Sequence, residues 1–477
     1  MLFNSLEYFF FLPAVVVLYF LVPFKFRWAI LLLASYIFYG YWKVEYLSLI
    51  LFSTVVDYYA GYKLGSSKVK RKRYLYLSVF VNLGLLFFFK YFHFFSAELA
   101  KITNAESYSA NLVHQLLLPV GISFYTFQTM SYTIDVYNGK QRFEKHPAIF
   151  ALYVSFFPQL VAGPIERAGP LLNQFKLKSN ITYSNFQFGF LRILWGLFKK
   201  FVIADRLAFM VNEVYNNVDE YSGIQYIIAT FLFAFQIYCD FSGYSDIAIG
   251  SARILGIRLM ENFKRPYLAT TIGDFWRRWH ISLSTWFRDY LYIPLGGNRV
   301  VKWRWYYNLF ITFLISGLWH GANWTFLAWG ALHGIFMIVE NMFTDSARLR
   351  FWEKVNWRIK ASFIFVLVLV SWVFFRANDI SEAIYILENS LSGDWSISKN
   401  IRGQLLYLGQ PFWRFAGSIA LIVILFAIEF LVEKKKISEM KFIRGKIAYR
   451  WSVYLALIFS ILVFGVFEMN EFIYFQF

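Results

Sequence analysis

The sequence predicts an all-α polytopic membrane protein, and three observations carry that prediction. Of 477 residues, 58% are hydrophobic and 22% aromatic, and mean hydropathy is +0.47, more apolar than a soluble domain of this size needs. The apolar residues come in long runs, as membrane spans require. The formal net charge of +18 is gathered in short basic clusters between those runs. That is the positive-inside pattern and an attraction to anionic lipid, so the charge argues for a membrane surface and against nucleic acid. The single Cys239 excludes a disulfide framework and a CxxC site.

Taken in order, the candidate membrane segments are residues 8–22, 28–42, 47–64, 74–95, 112–130, 149–161 and 186–204, then 224–238, 306–318, 324–339, 361–375, 415–432 and 453–467. Residues 9–20 follow Glu7 and not a basic region, so they read as a first span and not as a cleavable signal. Several segments are shorter than the ~20 residues a span normally needs, which leaves about ten to twelve true spans, the others being re-entrant or packed within protein. Lys68, Lys70, Arg71, Lys72 and Arg73, and later Lys434, Lys435 and Lys436, mark the cytoplasmic side. Counting back three spans places the N-terminus outside and Lys25 and Arg27 inside, with residues 97–111 outside. No repeat and no sizeable soluble domain interrupts the chain, so residues 1–477 are expected to form one integral-membrane domain with a motif core at about 236–334.

Polar signals concentrate in that core. Residues 238–246, Tyr-Cys-Asp-Phe-Ser-Gly-Tyr-Ser-Asp, set Asp240 and Asp246 in a hydrophobic context, where an acid must pair or stay protonated. Asp240 and Tyr244 are four apart and would share a helix face; Gly243 offers a flexible or broken backbone. Two readings stand: a structural network satisfying Arg or Lys between helices, or support for a reactive site.

Residues 273–290, Gly-Asp-Phe-Trp-Arg-Arg-Trp-His-Ile-Ser-Leu-Ser-Thr-Trp-Phe-Arg-Asp-Tyr, read as an amphipathic helix with Asp274 as N-cap. Trp276, Trp279, Leu283, Trp286, Phe287 and Tyr290 would form one apolar stripe, with His280 at its edge beside Ser284, Arg277 and Arg288. Such a helix is an interfacial or inward-dipping anchor. Its basic flank, with Lys264, Arg265 and Arg299 nearby in sequence, could dock a phosphate-bearing donor. Residues 294–298 would end it in a glycine turn.

Residues 316–324, Ser-Gly-Leu-Trp-His-Gly-Ala-Asn-Trp, lie between two apolar runs. One helix over residues 306–341 would be about 50 Å long against a hydrocarbon core of about 30 Å. A break is therefore expected at Gly321-Ala322-Asn323, leaving His320, beside Trp319, near a helix end at membrane depth. An ionisable group there is expensive and points to function. His93, His114, His146 and His333 read as structural.

Together these motifs resemble the membrane-bound O-acyltransferase family, and most closely its bacterial alginate O-acetyltransferase-like branch. The matching stretches are residues 238–246, 275–284, 292–298 and 318–324, and the similarity extends to residues 2–5 and 119–124. The resemblance implies a fold of transmembrane, re-entrant and interfacial helices around a thin core, with His320 catalytic and His280 a second important histidine. Asp240, Tyr244, Asp246, Asn323 and Trp319 would be supporting polar residues, and Arg277, Arg278, Arg288, Lys264 and Arg265 would bind the donor. It implies transfer of acetyl from cytoplasmic acetyl-CoA, a substrate and not a bound cofactor, towards an extracytoplasmic polysaccharide such as an alginate-like polymer or peptidoglycan. No metal is expected. The setting would be a bacterial inner membrane, and a secreted or periplasmic SGNH-type partner would complete the transfer.

The chemistry of the residues agrees. Acyl transfer to a hydroxyl needs a base, neutral imidazole serves, and burial disfavours its charged form; His320 could instead carry the acyl group itself. Competing readings are a D-alanyl transferase using an acyl-carrier protein for teichoic acid, a secondary transporter, for which inverted symmetry is lacking, and a scaffold.

Overall fold

The computed structural model describes residues 1–66, 71–103, 119–161, 163–344, 352, 354–392, 407–435, 445–467 and 472–473. Most of the described residues are helical, with no strand among them. Lys68, Lys70, Lys436, His114 and residues 104–118, which include part of the expected segment at 112–130 and of the expected outer loop, lie outside them. Six described helices are long and apolar enough to cross a bilayer, among them Ile224–Ile254, Trp357–Arg376, Phe412–Lys434 and Ile447–Phe464. The shorter helix Leu6–Leu21 is also apolar.

The chain divides into two compact units, Met1–Ile193 with Tyr244–Glu261, and Leu194–Gly243 with Asn262–Phe477. In the first unit, Ser5 caps the helix Leu6–Leu21 by accepting from the Tyr8 amide at 3.3 Å. Tyr8 Oη then donates to Ser251 at 2.7 Å. The helices Leu47–Ser66, Arg71–Leu86 and Ile122–Tyr137 meet around the buried Asp57. Its carboxylate accepts from Asn82 at 2.8 Å and from Ser78, so the acid is satisfied by neutral donors, as a buried polar group must be.

In the second unit the helices Lys302–His320 and Trp324–Thr344 form an antiparallel hairpin, with the break falling at the expected Gly321-Ala322-Asn323. Small residues bring their backbones together, which is how apolar helices associate in lipid. A Cβ on Gly317 would sit 2.2 Å from the Phe326 carbonyl oxygen, and one on Gly330 2.4 Å from the Phe313 carbonyl oxygen. Asn323 starts the second helix by accepting from the Thr325 amide at 3.0 Å, and its amide nitrogen donates to the Asn378 carbonyl at 2.8 Å.

Two local expectations are corrected. The helix Ile224–Ile254 runs unbroken through Gly243. The glycine is there for close approach, since a Cβ would lie 2.8 Å from the Gly196 carbonyl oxygen. The stretch after Gly273 is not one helix capped by Asp274. Thr271 is the cap, accepting from the Asp274 amide at 3.0 Å. The chain then forms Ile272–Arg278 and Ile281–Phe287, separated at His280. The glycine turn that follows is present, with φ +111° at Gly296 and +57° at Gly297.

Candidate active site

His280 owes its place to the break. It adopts φ +41°, ψ +54°, a left-handed conformation uncommon for a residue with a side chain and held only where surroundings over-determine it. The neighbouring backbone of residues 262–264 does so here. The Asn262 carbonyl accepts from the Ile281 amide at 2.9 Å, and the Lys264 amide donates to the Arg278 carbonyl at 2.9 Å. Asn262 Oδ1 accepts from the Ser282 amide at 3.2 Å and from the Ser282 hydroxyl at 2.9 Å. The result turns the His280 ring inward to full burial, against Phe241 with centroids 4.6 Å apart. A surface position at the edge of an amphipathic stripe is thereby corrected. Burial pulls its imidazole down to about 3, so the ring is neutral at ordinary pH.

His320 is the last residue of its helix and 2% exposed. Its ring meets Trp329 edge-on at 4.9 Å, Trp319 at 5.1 Å and Phe375 at 5.6 Å. The hairpin sets this geometry, because Gly321 leaves room for Phe326, whose ring a Cβ would meet at 2.0 Å. The two imidazoles, forty residues apart, lie with centroids 6.3 Å apart, and Trp319 contacts both. Two neutral-capable bases in one aromatic enclosure can share a substrate hydroxyl between them. His333 is one helix turn beyond Trp329 and hydrogen-bonds Ser371 at 3.0 Å. His146 caps the helix Pro147–Ser155.

A sequence profile of the membrane-bound O-acyltransferase family matches residues 53–377, a stretch that includes both histidines. The chain belongs to the membrane-bound O-acyltransferase family. It is therefore an acyltransferase and a multi-pass membrane protein. It is 42% identical over 413 residues to a protein named probable alginate O-acetylase from Azotobacter vinelandii, covering 86% of this chain and 82% of that one. It is 38% identical over 389 residues to the peptidoglycan O-acetyltransferase of Helicobacter pylori, covering 75% and 72%. Similarity to the teichoic acid D-alanyltransferase of Bacillus subtilis is weaker, 29% over 248 residues, covering 48% and 60%.

The remaining expected site residues divide. Asp240 accepts from Lys200 at 2.7 Å, and Lys200 also meets Asp205 at 2.8 Å, all three buried. Asp240 further accepts from the Ile473 amide at 2.7 Å, and Lys199 donates to Ser242 at 2.8 Å. Asp246 pairs with Arg192 at 2.6 Å in the first unit, where Tyr244 donates to Asn4 at 3.1 Å. Both acids thus hold basic partners, as the structural reading of this motif requires. Lys199, Lys200 and Asp205 were absent from the sequence expectations. Their signal is a pair of adjacent lysines inside an otherwise apolar run, which is costly in a membrane protein unless paired.

Of the basic flank, Arg265 and Arg278 converge on Glu433, at 2.6 and 3.1 Å, and Arg278 also meets Asp274 at 2.9 Å. These carboxylates raise the Arg278 guanidinium above its ordinary range against a lowering by burial. Lys264, Arg277 and Arg288 are exposed; Arg288 meets Asp289 at 2.8 Å, and Arg277 stands 3.9 Å from Asp274.

Proposed function

We propose that this chain moves an acetyl group from cytoplasmic acetyl-CoA across an inner membrane for O-acetylation of an extracytoplasmic polysaccharide, with His320 as the reacting base. The observation that carries the reading is the buried pair His280 and His320, 6.3 Å apart. In this mechanism His320 takes the proton of the acceptor hydroxyl as its oxygen attacks the thioester carbonyl carbon. The carbon–sulfur bond breaks and coenzyme A leaves as thiolate, which the transferred proton neutralises. His280 orients the acceptor or the carbonyl, and the aromatic rings exclude water that would hydrolyse the thioester.

The donor phosphates need cations at the site's mouth. Lys264, Arg277 and Arg288 suit that role better than Arg265 and Arg278, whose charges Glu433 already engages. The polymer end of the reaction is read from the relatives named for alginate and peptidoglycan acetylation. A secreted SGNH-type partner would complete delivery to sugar. The test supplies purified protein with acetyl-CoA or with D-alanine on a phosphopantetheine carrier. Thiol release from acetyl-CoA that disappears in His320→Ala supports the reading; turnover of the carrier alone contradicts it.

A further inference from the structure

In the first unit, the turn after the helix Ile122–Tyr137 and the ends of the helices Leu47–Ser66 and Arg71–Leu86 enclose a cavity of about 700 Å³. Among the described residues four cations line it, Arg71, Arg142, Lys145 and Lys176, against one carboxylate, Glu144. Glu144 is committed to Lys176 and to the His146 amide at 3.0 Å. Among the described residues neither Arg142 nor Lys145 has a carboxylate partner. Arg71 is built into the wall. Its guanidinium donates to the helix-end carbonyls of Val136 and Tyr137 at 3.2 and 2.8 Å, while its Nε is buried without a hydrogen-bond partner among the described residues. A concave site with a net excess of cations takes an anion, and guanidinium with ammonium groups suits phosphate.

The other wall is aromatic. The Phe143 ring lies where a side chain on Gly65 would stand, a Cβ there falling 2.0 Å from it. Phe143 contacts Tyr62 at 5.7 Å. On the same pair of helices Tyr62, Tyr59 and Phe80 are 45%, 47% and 79% exposed, and Tyr59 contacts Tyr74 at 6.1 Å. Cations in the cavity and rings on the outer helix surface match an amphiphile with a phosphate head and hydrocarbon tails. We infer that this cavity binds the phosphate headgroup of an anionic phospholipid, with its acyl chains along the outer faces of those two helices. The site is independent of the histidine pair.

The test uses the full chain purified in detergent, followed by thermal unfolding with added dioleoylphosphatidylglycerol or dioleoylphosphatidylcholine. Phosphatidylglycerol is expected to raise the melting temperature above the phosphatidylcholine value. The double variant Arg142→Gln/Lys145→Gln should lose at least half of that increment while keeping its melting temperature in phosphatidylcholine. Arg71 is left intact because it holds the end of a helix. A control with equal charge loss in the second unit, Lys302→Gln/Arg304→Gln, should keep the increment, and soluble sn-glycerol 3-phosphate should give none. The inference is overturned by no phosphatidylglycerol increment, by a full increment in the first double variant, or by an equal loss in the control. An equal shift with glycerol phosphate assigns the cavity to a free phosphate and overturns the lipid.

Discussion

At the residue scale, the two histidines differ in what removing each would do. His320 sits at a helix end between rings that hold one another: Trp329 stacks beside Trp372 at 6.1 Å and meets Phe375 at 5.3 Å. Truncating it should therefore leave the fold standing. His280 holds a left-handed backbone at a helix break, so His280→Ala should lower turnover through position as well as chemistry. The loss should be smaller than for His320→Ala, or equal to it if the pair acts as a unit. Steady-state rates of both variants at matched abundance, with His280→Asn as a ring-free polar comparison, check this; unchanged turnover in His280→Ala would make it a packing residue.

The arginines separate in the same way. Arg277→Ala or Arg288→Ala should raise the apparent KM for acetyl-CoA, with turnover at saturating donor falling less. Arg278→Ala should instead lower abundance, because it takes the close cation from Asp274 and one of the two cations from Glu433. Donor titrations of the purified variants distinguish the two outcomes, and an unchanged acetyl-CoA dependence in both exposed variants removes the basic dock. The place of His320 at a buried helix end was legible in the sequence because its motif sets small residues after the ring. Lys199 and Lys200 were not, because hydropathy averaged over a window hides two charges whose partners, Asp205 and Asp240, become neighbours only on folding.

At the element scale, the hairpin that carries His320 depends on glycine at two contact points. Gly330→Val forces a branched side chain against the Phe313 carbonyl oxygen, and overpacking of this kind costs about 1–3 kcal/mol or more. The expected result is a lower melting temperature together with lost activity; a variant as stable as the parent would mean the helices do not rely on that contact. The buried trio Lys200, Asp205 and Asp240 gives a second test. Lys200→Met leaves two carboxylates without their cation, a change worth about 3–5 kcal/mol when one partner of a buried pair is removed. Replacing both acids by Asn in the same chain should recover much of that loss in thermal unfolding, and no recovery would mean that the ammonium serves more than these two acids.

The break at residues 321–323 was legible because length against bilayer thickness demands one and Gly-Ala-Asn supplies it. The break at His280 was not. Its cause lies in hydrogen bonds from residues 262–264, which no periodicity in residues 273–290 records, and an amphipathic stripe reads the same whether its helix is continuous or split. Gly243 misled for the converse reason: a glycine that admits a neighbouring backbone looks in sequence like one that bends its own.

At the scale of the whole molecule, composition and charge clustering were enough to give a helical membrane protein, and the joint motifs gave its family. The number of spans was less legible. Six described helices are long and apolar enough alone, and others are interrupted or carry polar residues such as Asp57 that the protein satisfies internally. Contacts from the far end of the chain, such as the Ile473 amide on Asp240, were beyond sequence reasoning altogether. The central claim is that His320 performs the acyl transfer, and the most direct measurement is the acetyl content of the extracytoplasmic polymer in cells carrying His320→Ala at wild-type membrane abundance. Loss of the base predicts a fall of about 10²–10⁴-fold in transfer, with melting temperature close to the parent's. Polymer acetylated to the wild-type level by that variant would contradict the account.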